Sequence, residues 1–466
     1  MTGVDERSLV VGLVLALGLL TTGFLFTNEA PRFSLALALG MRGEVTIDRL
    51  LPQAIHPTYK PIDFAVKDGR YVSDKGPLQS VLAVPLVWLL LKVNAPLMTG
   101  VYLATLLLAA LPTALTALLI FRFGKRVHRT GTVSPALPAL VYALATHAFF
   151  YSTLFFAYAL TTFLAFASFY LLFTADGERD RAWVIAAGVL AGLAGTNDYP
   201  AILLTPCLLL YCRMKAPRLV SGFLVGSLVA LSLLPIYHYA LFGEPFSPPH
   251  RYHNMSGTHQ QGVYMGVGNF TPEAFFGVTV GPSRGLFVSS PVLIIAIVLL
   301  GRLYRHHPAE ATLIVAVSII LFLFQTSFID WRGGNSFGPR YLVPTLPFLV
   351  LPLLTLRRHG PIWPVFLALL AISFLINLVC AASHLPKTKD RYPTEGAFFR
   401  WTTGTQLFRQ ITETGEPYED VTLRPKVHPL IYWADLDDNE PLVRLPTILA
   451  GLIGAVLFRR AMTGDD

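Results

Sequence analysis

The chain has 466 residues, of which 53% are hydrophobic and 14% are charged, whereas soluble domains carry about 25% charged residues. Its mean hydropathy of +0.56 and its recurrent apolar stretches exclude a soluble protein and predict membrane-spanning helices, because backbone in lipid must satisfy its own hydrogen bonds. The net charge of +8 comes largely from short loops between those stretches, which indicates membrane orientation, so we expect no nucleic-acid partner.

These short basic loops alternate with the apolar stretches and indicate how the chain crosses the membrane. Lysine and arginine favour cytoplasmic loops, so we place all the basic loops, and with them both termini, in the cytoplasm. The result is an all-α polytopic protein of about twelve spans. The outer loops are then residues 28–98, 243–286, 329–340 and 383–444. The predicted spans are residues 8–27, 99–122, 134–151, 153–174, 182–197, 199–213, 218–242, 287–302, 310–328, 341–356, 361–382 and 445–458.

One further apolar stretch, residues 77–93, is long enough to be mistaken for a span. If it crossed the membrane, every later basic loop would move outside, so we predict a juxtamembrane or re-entrant helix on the outer face. An inverted first helix, with residues 28–76 inside, is the alternative. We expect residues 1–382 to form one transmembrane domain, residues 383–444 a small outer-face insertion, and residues 445–466 the last span and a cytoplasmic tail.

The first outer loop begins with a carboxylate and an arginine on one predicted helix. Asn28 is a good N-cap, Pro31 suits a first turn, and Gly43 marks the end of the helix. Glu29 and Arg32 are three positions apart and share a face, where a carboxylate held by a cation could act as a general base. The alternative is a first-turn glutamate that favours the helix dipole, with Arg32 among the lipid headgroups.

Two other stretches place cations at the outer ends of helices. Lys75 precedes the 77–93 helix and could hold a phosphate, or it could contact lipid headgroups. The glycine-rich stretch 330–341 contains Arg340 and could bind a phosphate, with Trp331 stacked on a sugar, or it could be an ordinary turn in an aromatic belt. Arg284, in a similar short stretch, repeats this chemistry. We expect Lys75 and Arg340 to converge on one phosphate.

The sequence predicts no metal site. The three cysteines lie inside apolar spans and form no CxxC pair. His250, His253 and His259 share one outer loop, but their spacing fits no zinc signature, and we expect them to be solvated.

This arrangement resembles the GT-C glycosyltransferase superfamily, in particular its protein mannosyltransferase and lipid A aminoarabinose transferase group. In that group the first outer loop carries an acidic residue, then an arginine, and later a lysine-proline segment, which residues 29–33 and 73–78 match. The resemblance departs in three respects. Glu29 replaces the usual aspartate, Gly76 replaces a proline, and the region expected to hold a second acidic residue is occupied by Tyr158 and Thr161.

The resemblance implies a multi-pass enzyme of the cytoplasmic (inner) membrane whose active site faces the periplasmic or extracellular side. It would move a sugar from a polyprenyl-phosphate donor to an acceptor glycan, lipid or protein, without a nucleotide cofactor; whether a divalent metal is required stays open. The resemblance places Glu29 at the catalytic acidic position and Lys75 at the lysine that contacts the donor phosphate. Together with the residue patterns, it leads us to assign catalysis to Glu29 and Arg32, donor phosphate binding to Lys75, Arg340 and Arg284, and substrate binding to Asp74, Tyr158, Trp331 and Tyr341.

Two other classes of protein remain open at this point. A transporter or flippase of lipid-linked sugars would share the size and the cationic outer face, but it needs polar residues across the membrane midplane, and the predicted spans contain almost none. A non-catalytic GT-C-like membrane protein is the third class, because the second carboxylate is missing.

Overall fold

The computed structural model describes residues 4–21, 28–48, 64–175, 180–253, 266–282, 284–334, 336–382 and 440–463. These residues are almost entirely helical, and the single two-stranded sheet pairs β1 (Ala65–Lys67) with β2 (Arg70–Val72) in antiparallel register. The helices are α1 (Glu6–Leu20), α2 (Ala30–Arg42), α3 (Leu78–Lys92), α4 (Leu97–Thr105), α5 (Leu111–Val127), α6 (Ala136–Leu144), α7 (Ala148–Ser152), α8 (Tyr158–Thr174), α9 (Arg181–Asn197), α10 (Leu204–Lys215), α11 (Val220–Leu231), α12 (Leu233–Phe242), α13 (Pro272–Thr279), α14 (Leu286–Ser289), α15 (Leu293–His306), α16 (Pro308–Ser327), α17 (Leu346–Leu349), α18 (Trp363–Ala381) and α19 (Glu440–Thr463).

Helical segments occupy the positions of the predicted spans, and several of them are interrupted. Within the described residues, five helices are long and apolar enough to cross a membrane: Thr99–Val127, Pro217–Phe242, Pro308–Ser327, Trp363–Ala381 and Leu445–Thr463. The predicted span at 134–151 is instead two helices, α6 and α7, and the span at 341–356 consists of two 3₁₀ turns around the short α17. Prolines at positions 344, 347 and 352 explain that last interruption, because proline lacks the N–H that a continuous helix needs. The number of twelve spans stays a prediction.

Small residues allow α9 and α11 to pack with their backbones in contact. A Cβ atom on Gly188 would lie 2.1 Å from the Phe223 carbonyl oxygen, and one on Gly226 would lie 2.3 Å from the Ile185 carbonyl oxygen. Close helix approach through small residues is a common packing mode in membranes. These contacts lie in the first half of α9 and hold it against α11.

The described residues between α1 and α4 form α2, the hairpin and α3, which pack on one another. The Ser80 hydroxyl donates to the Arg32 carbonyl at 2.7 Å, and the Trp88 indole donates to the Gly40 carbonyl at 2.7 Å. Gly43 ends α2 in the left-handed conformation, as its position predicts. The N-cap is one residue later than expected, at Glu29 instead of Asn28.

The stretch at 77–93 forms α3, a helix of 15 residues. At 1.5 Å per residue its length is about 22 Å, less than the hydrocarbon thickness of about 30 Å. The outer-face position of this helix stays a prediction that its length favours.

The chain after α18 is only partly described. Residues 383–439, most of the predicted insertion, lie outside the described residues. The last helix, α19, begins at Glu440, ahead of the expected start of the last span at position 445.

Candidate functional site

The start of α2 buries a carboxylate and a guanidinium three positions apart. Glu29 is 0% exposed and Arg32 is 4% exposed. Pro31 occupies the first turn, where its missing N–H has no helical partner to lose. The Nε and Nη1 atoms of Arg32 are buried and find no hydrogen-bond partner among the described residues. Burying charged groups is costly unless they are paired, so this pair fits a binding site better than an exposed helix start among headgroups.

Asp74 connects Lys75 to a histidine from a distant loop. The Lys75 Nζ atom lies 2.7 Å from Asp74 Oδ2, and the His253 Nε2 atom lies 3.5 Å from the same oxygen. The expectation that His253 is solvated is wrong, since it is 5% exposed. The cause is a backbone bridge between Ala65 and His253, which draws the later loop onto the hairpin. The sequence contains no local signal for this long-range contact.

Gly76 brings the Lys75 loop against the outer end of α9. A Cβ atom at position 76 would lie 2.4 Å from the Asn197 carbonyl oxygen, so only glycine fits this approach. Asn197 in turn donates to the Thr161 hydroxyl at 2.9 Å and to the Ala157 carbonyl at 3.0 Å, at the start of α8. The departure from the family pattern at Gly76 therefore has a packing reason.

Asp198, directly after α9, interacts electrostatically with three cations. Burial raises the pKa of the Asp198 carboxyl above its ordinary value, while attraction to Arg32, Arg340 and Lys75 opposes that shift. The same carboxylate also interacts electrostatically with Tyr158. Asp198 is not among the site residues that the sequence predicts. The signal that could have identified it is an acidic residue at the outer end of an otherwise uncharged span.

Arg340 reaches this region from the glycine-rich loop. Its Nη2 donates to the Tyr341 hydroxyl at 2.8 Å, and its guanidinium carbon lies 4.9 Å from the Tyr341 ring centroid. Gly333 has a left-handed φ of +72°, and a Cβ there would lie 2.8 Å from Arg340 Nε. The Tyr341 ring meets Tyr158 edge-on at 6.3 Å between centroids. Arg340, Tyr341 and Tyr158 therefore form one connected group.

Trp331 packs against α13. A Cβ on Gly277 would lie 2.1 Å from the Trp331 ring, and the Arg332 guanidinium lies 4.4 Å from that ring while forming an ion pair with Glu273. These contacts anchor α13 to the 330–340 loop. The substrate role of Trp331 stays a prediction.

The predicted phosphate ligand Arg284 is buried against the same loop. Its two terminal nitrogens donate to the carbonyls of Ser336 and Gly334. Contact with a donor phosphate stays a prediction for this residue.

The described residues contain no group of three or more histidine, cysteine, aspartate or glutamate side chains that could hold a metal ion. Asp74 and His253 are a pair of suitable ligand types, but Lys75 already engages the shared Asp74 oxygen.

Comparison with solved structures identifies the fold. The chain is similar to ArnT from Cupriavidus metallidurans bound to undecaprenyl phosphate, with a TM-score of 0.54 and 13% identity, over 98% of this chain and 75% of ArnT. It is less similar to the oligosaccharyltransferase AglB from Archaeoglobus fulgidus, with a TM-score of 0.44 and 9% identity, over 99% of this chain and 56% of AglB. No protein-family model and no curated protein matches the sequence. The chain is therefore a helical membrane protein with a GT-C-like glycosyltransferase fold, as the sequence motifs imply.

Proposed function

We propose that the chain is a membrane glycosyltransferase that takes a sugar from a polyprenyl-phosphate donor and transfers it to an acceptor on the outer face. The observation that carries this proposal is that Arg32, Lys75 and Arg340 all interact electrostatically with Asp198, while buried guanidinium nitrogens of Arg32 and Arg340 have no hydrogen-bond partner among the described residues. Cations with unsatisfied hydrogen-bond donors suit an anionic ligand such as a phosphate. The similar ArnT structure contains undecaprenyl phosphate, which supports a lipid-phosphate donor.

In this proposal Lys75 and Arg340 hold the donor phosphate. The bond between the anomeric carbon and the phosphate oxygen breaks, and a bond between the acceptor oxygen and that carbon forms. The polyprenyl phosphate leaves with the bonding electron pair, and the two cations stabilise the charge that develops on it. Lys75 is already oriented by Asp74, and Arg340 by Tyr341.

Glu29 takes the acceptor proton in the same step. It is a buried carboxylate at the N-cap of α2, in the helix turn that also carries Arg32. A buried carboxylate is a better proton acceptor than an exposed one, because water no longer stabilises its charge. Arg32 would keep it ionised and oriented.

The reaction would take place at the outer face of the cytoplasmic membrane. The polyprenyl chain of the donor would then lie in the bilayer beside the helices, and the phosphate would enter at the level of α2 and α3. The lipid-facing surface supplies the apolar contact that such a chain requires.

A direct test is the incubation of purified protein in lipid nanodiscs with a panel of polyprenyl-phosphate sugars and acceptor extracts. We expect release of polyprenyl phosphate that depends on the acceptor. In parallel, proteoliposomes with a fluorescent polyprenyl-phosphate sugar would reveal flipping. Flipping without sugar transfer would support the transporter, and neither activity across the panel would support the non-catalytic protein.

A further inference from the structure

The loop that carries Arg340 packs on buried side chains of two segments, the turn before α14 and α7 with its N-cap. Arg284, 1% exposed, donates through Nη1 to the Ser336 carbonyl and through Nη2 to the Gly334 carbonyl. The Tyr151 hydroxyl of α7 donates to the Phe337 carbonyl at 2.8 Å. We call Arg284, Tyr151 and His147 the carbonyl clamp.

His147 completes the clamp by contact with the next residue of the loop. A Cβ atom on Gly338 would lie 3.4 Å from the His147 ring, and Gly338 has a left-handed φ of +60°. The loop is therefore held by hydrogen bonds at positions 334, 336 and 337, and His147 lies beside position 338, shortly before Arg340. This segment contains glycines at 333, 334 and 338, all with positive φ, so its own backbone preferences do little to fix its shape.

The burial of Arg284 is unusual for an arginine. A buried guanidinium normally requires an anionic partner, yet Arg284 forms no ion pair with a carboxylate in the part of the chain that the structure describes. Nearby Arg340 and Arg332 repel it, and Asp330 offers only longer-range attraction. A neutral side chain with N–H groups could donate the same hydrogen bonds with a smaller desolvation cost. The positive charge at position 284 therefore needs an explanation.

We propose that Arg284 is a positioning residue for donor binding: its bonds to the Gly334 and Ser336 carbonyls fix the place of Arg340. Of these two arginines, only Arg340 contacts the donor phosphate. This inference rests on the proposed function and replaces direct phosphate contact by Arg284 with an effect that passes through Arg340.

The binding of the polyprenyl-phosphate sugar itself, measured in nanodiscs without acceptor, tests the inference in a double-mutant cycle. We expect Arg284→Ala and Arg340→Ala each to raise the donor Kd by about 10–100-fold, the size of a lost charged hydrogen bond. Because Arg284 acts through Arg340, the double variant should bind no more weakly than Arg340→Ala. If the two single-variant increases in donor Kd multiply in the double variant, Arg284 contacts the phosphate directly and the inference is overturned.

Two further variants separate positioning from simple loss of folding. Tyr151→Phe removes one hydrogen bond of the carbonyl clamp and should raise the donor Kd by a few-fold, about the cost of one neutral hydrogen bond. This increase should also vanish in the Arg340→Ala background.

Chemical rescue gives a second test. Methylguanidinium should restore donor affinity to Arg284→Ala but not to Arg284→Lys. The exposed Tyr304→Phe and Arg302→Ala are the matched controls. An unchanged Kd in Tyr151→Phe together with failed rescue would also contradict the inference.

These outcomes are distinguishable from failure of the proposed function. If the wild-type protein binds no polyprenyl-phosphate sugar, the function fails and with it the basis of the inference. If the wild type binds the donor and the cycle is multiplicative, only the positioning role fails.

Discussion

At the scale of single residues, the site combines charges that the sequence scatters over more than 300 positions. Glu29, Arg32 and Lys75 could be selected from local patterns, because each stands at the outer end of a predicted helix. Asp198 and His253 could not, because their partners are set by tertiary contacts. Asp198 gains its setting from the approach of Gly76 to Asn197, and His253 from its bridge to Ala65.

The raised pKa of Asp198 predicts a pH-dependent donor affinity. Protonation of this carboxyl removes a negative charge from among three cations, whereas a sugar phosphodiester keeps its own charge. The donor should therefore bind more tightly as the pH falls through the raised pKa, by roughly tenfold for about 1.4 kcal/mol of removed repulsion. The donor Kd measured against pH checks this.

The variant Asp198→Asn isolates this effect from that of the other ionisable groups of the protein. It should bind the donor tightly at every pH, and its donor Kd should no longer show the change with pH that protonation of Asp198 causes in the wild type. Glu44→Gln, which changes an exposed carboxylate near the end of α2, should keep the wild-type profile. A wild-type profile in Asp198→Asn would contradict this role.

At the scale of elements, the sequence predicted where the helices lie better than how they are interrupted. The long apolar helices and the position of α3 follow from hydropathy, because each needs only a continuous apolar run. The break between α6 and α7 does not, because residues 145–147 carry no proline or glycine. The carbonyl clamp likewise depends on contacts between distant segments, so no local pattern reveals it.

The contact between the Lys75 loop and α9 predicts a specific cost for Gly76→Ala. The new Cβ would lie 2.4 Å from the Asn197 carbonyl oxygen, so the loop must shift and carry Lys75 with it. We expect a loss of about 1–3 kcal/mol in the free energy of unfolding and a raised donor Kd. Gly301→Ala is the control, since a Cβ there meets nothing within 4 Å. Thermal unfolding and donor binding that match wild type in both variants would disprove the contact.

At the scale of the whole molecule, the GT-C-like fold is shared with ArnT even though only 13% of residues are identical. The sequence motifs that suggested this fold are short, and they lie in loops between the apolar stretches. The apolar spans tolerate extensive exchange among hydrophobic residues, which explains how similar helices persist with so little identity.

The predicted orientation has a cysteine-labelling test. Lys67 of the hairpin donates to the Phe242 carbonyl at 2.6 Å, so the hairpin and the end of α12 share one face of the bundle. Arg70→Cys and Glu244→Cys should both react with an impermeant thiol reagent from outside the cell. Arg213→Cys, at the far end of α10, should react only after permeabilisation. The native cysteines are buried. Labelling of Arg70→Cys and Glu244→Cys only after permeabilisation would rule out the predicted orientation.

The central claim is that Glu29 is the base of a sugar transfer, and Glu29→Gln tests it most directly. Glutamine keeps the shape and cannot accept the proton, so single-turnover transfer from a bound polyprenyl-phosphate sugar should slow by about 10²–10⁴-fold. The donor Kd should stay near wild type, and the exposed-site control Glu44→Gln should transfer normally. Transfer by Glu29→Gln at the wild-type rate would remove Glu29 from the mechanism and contradict the account.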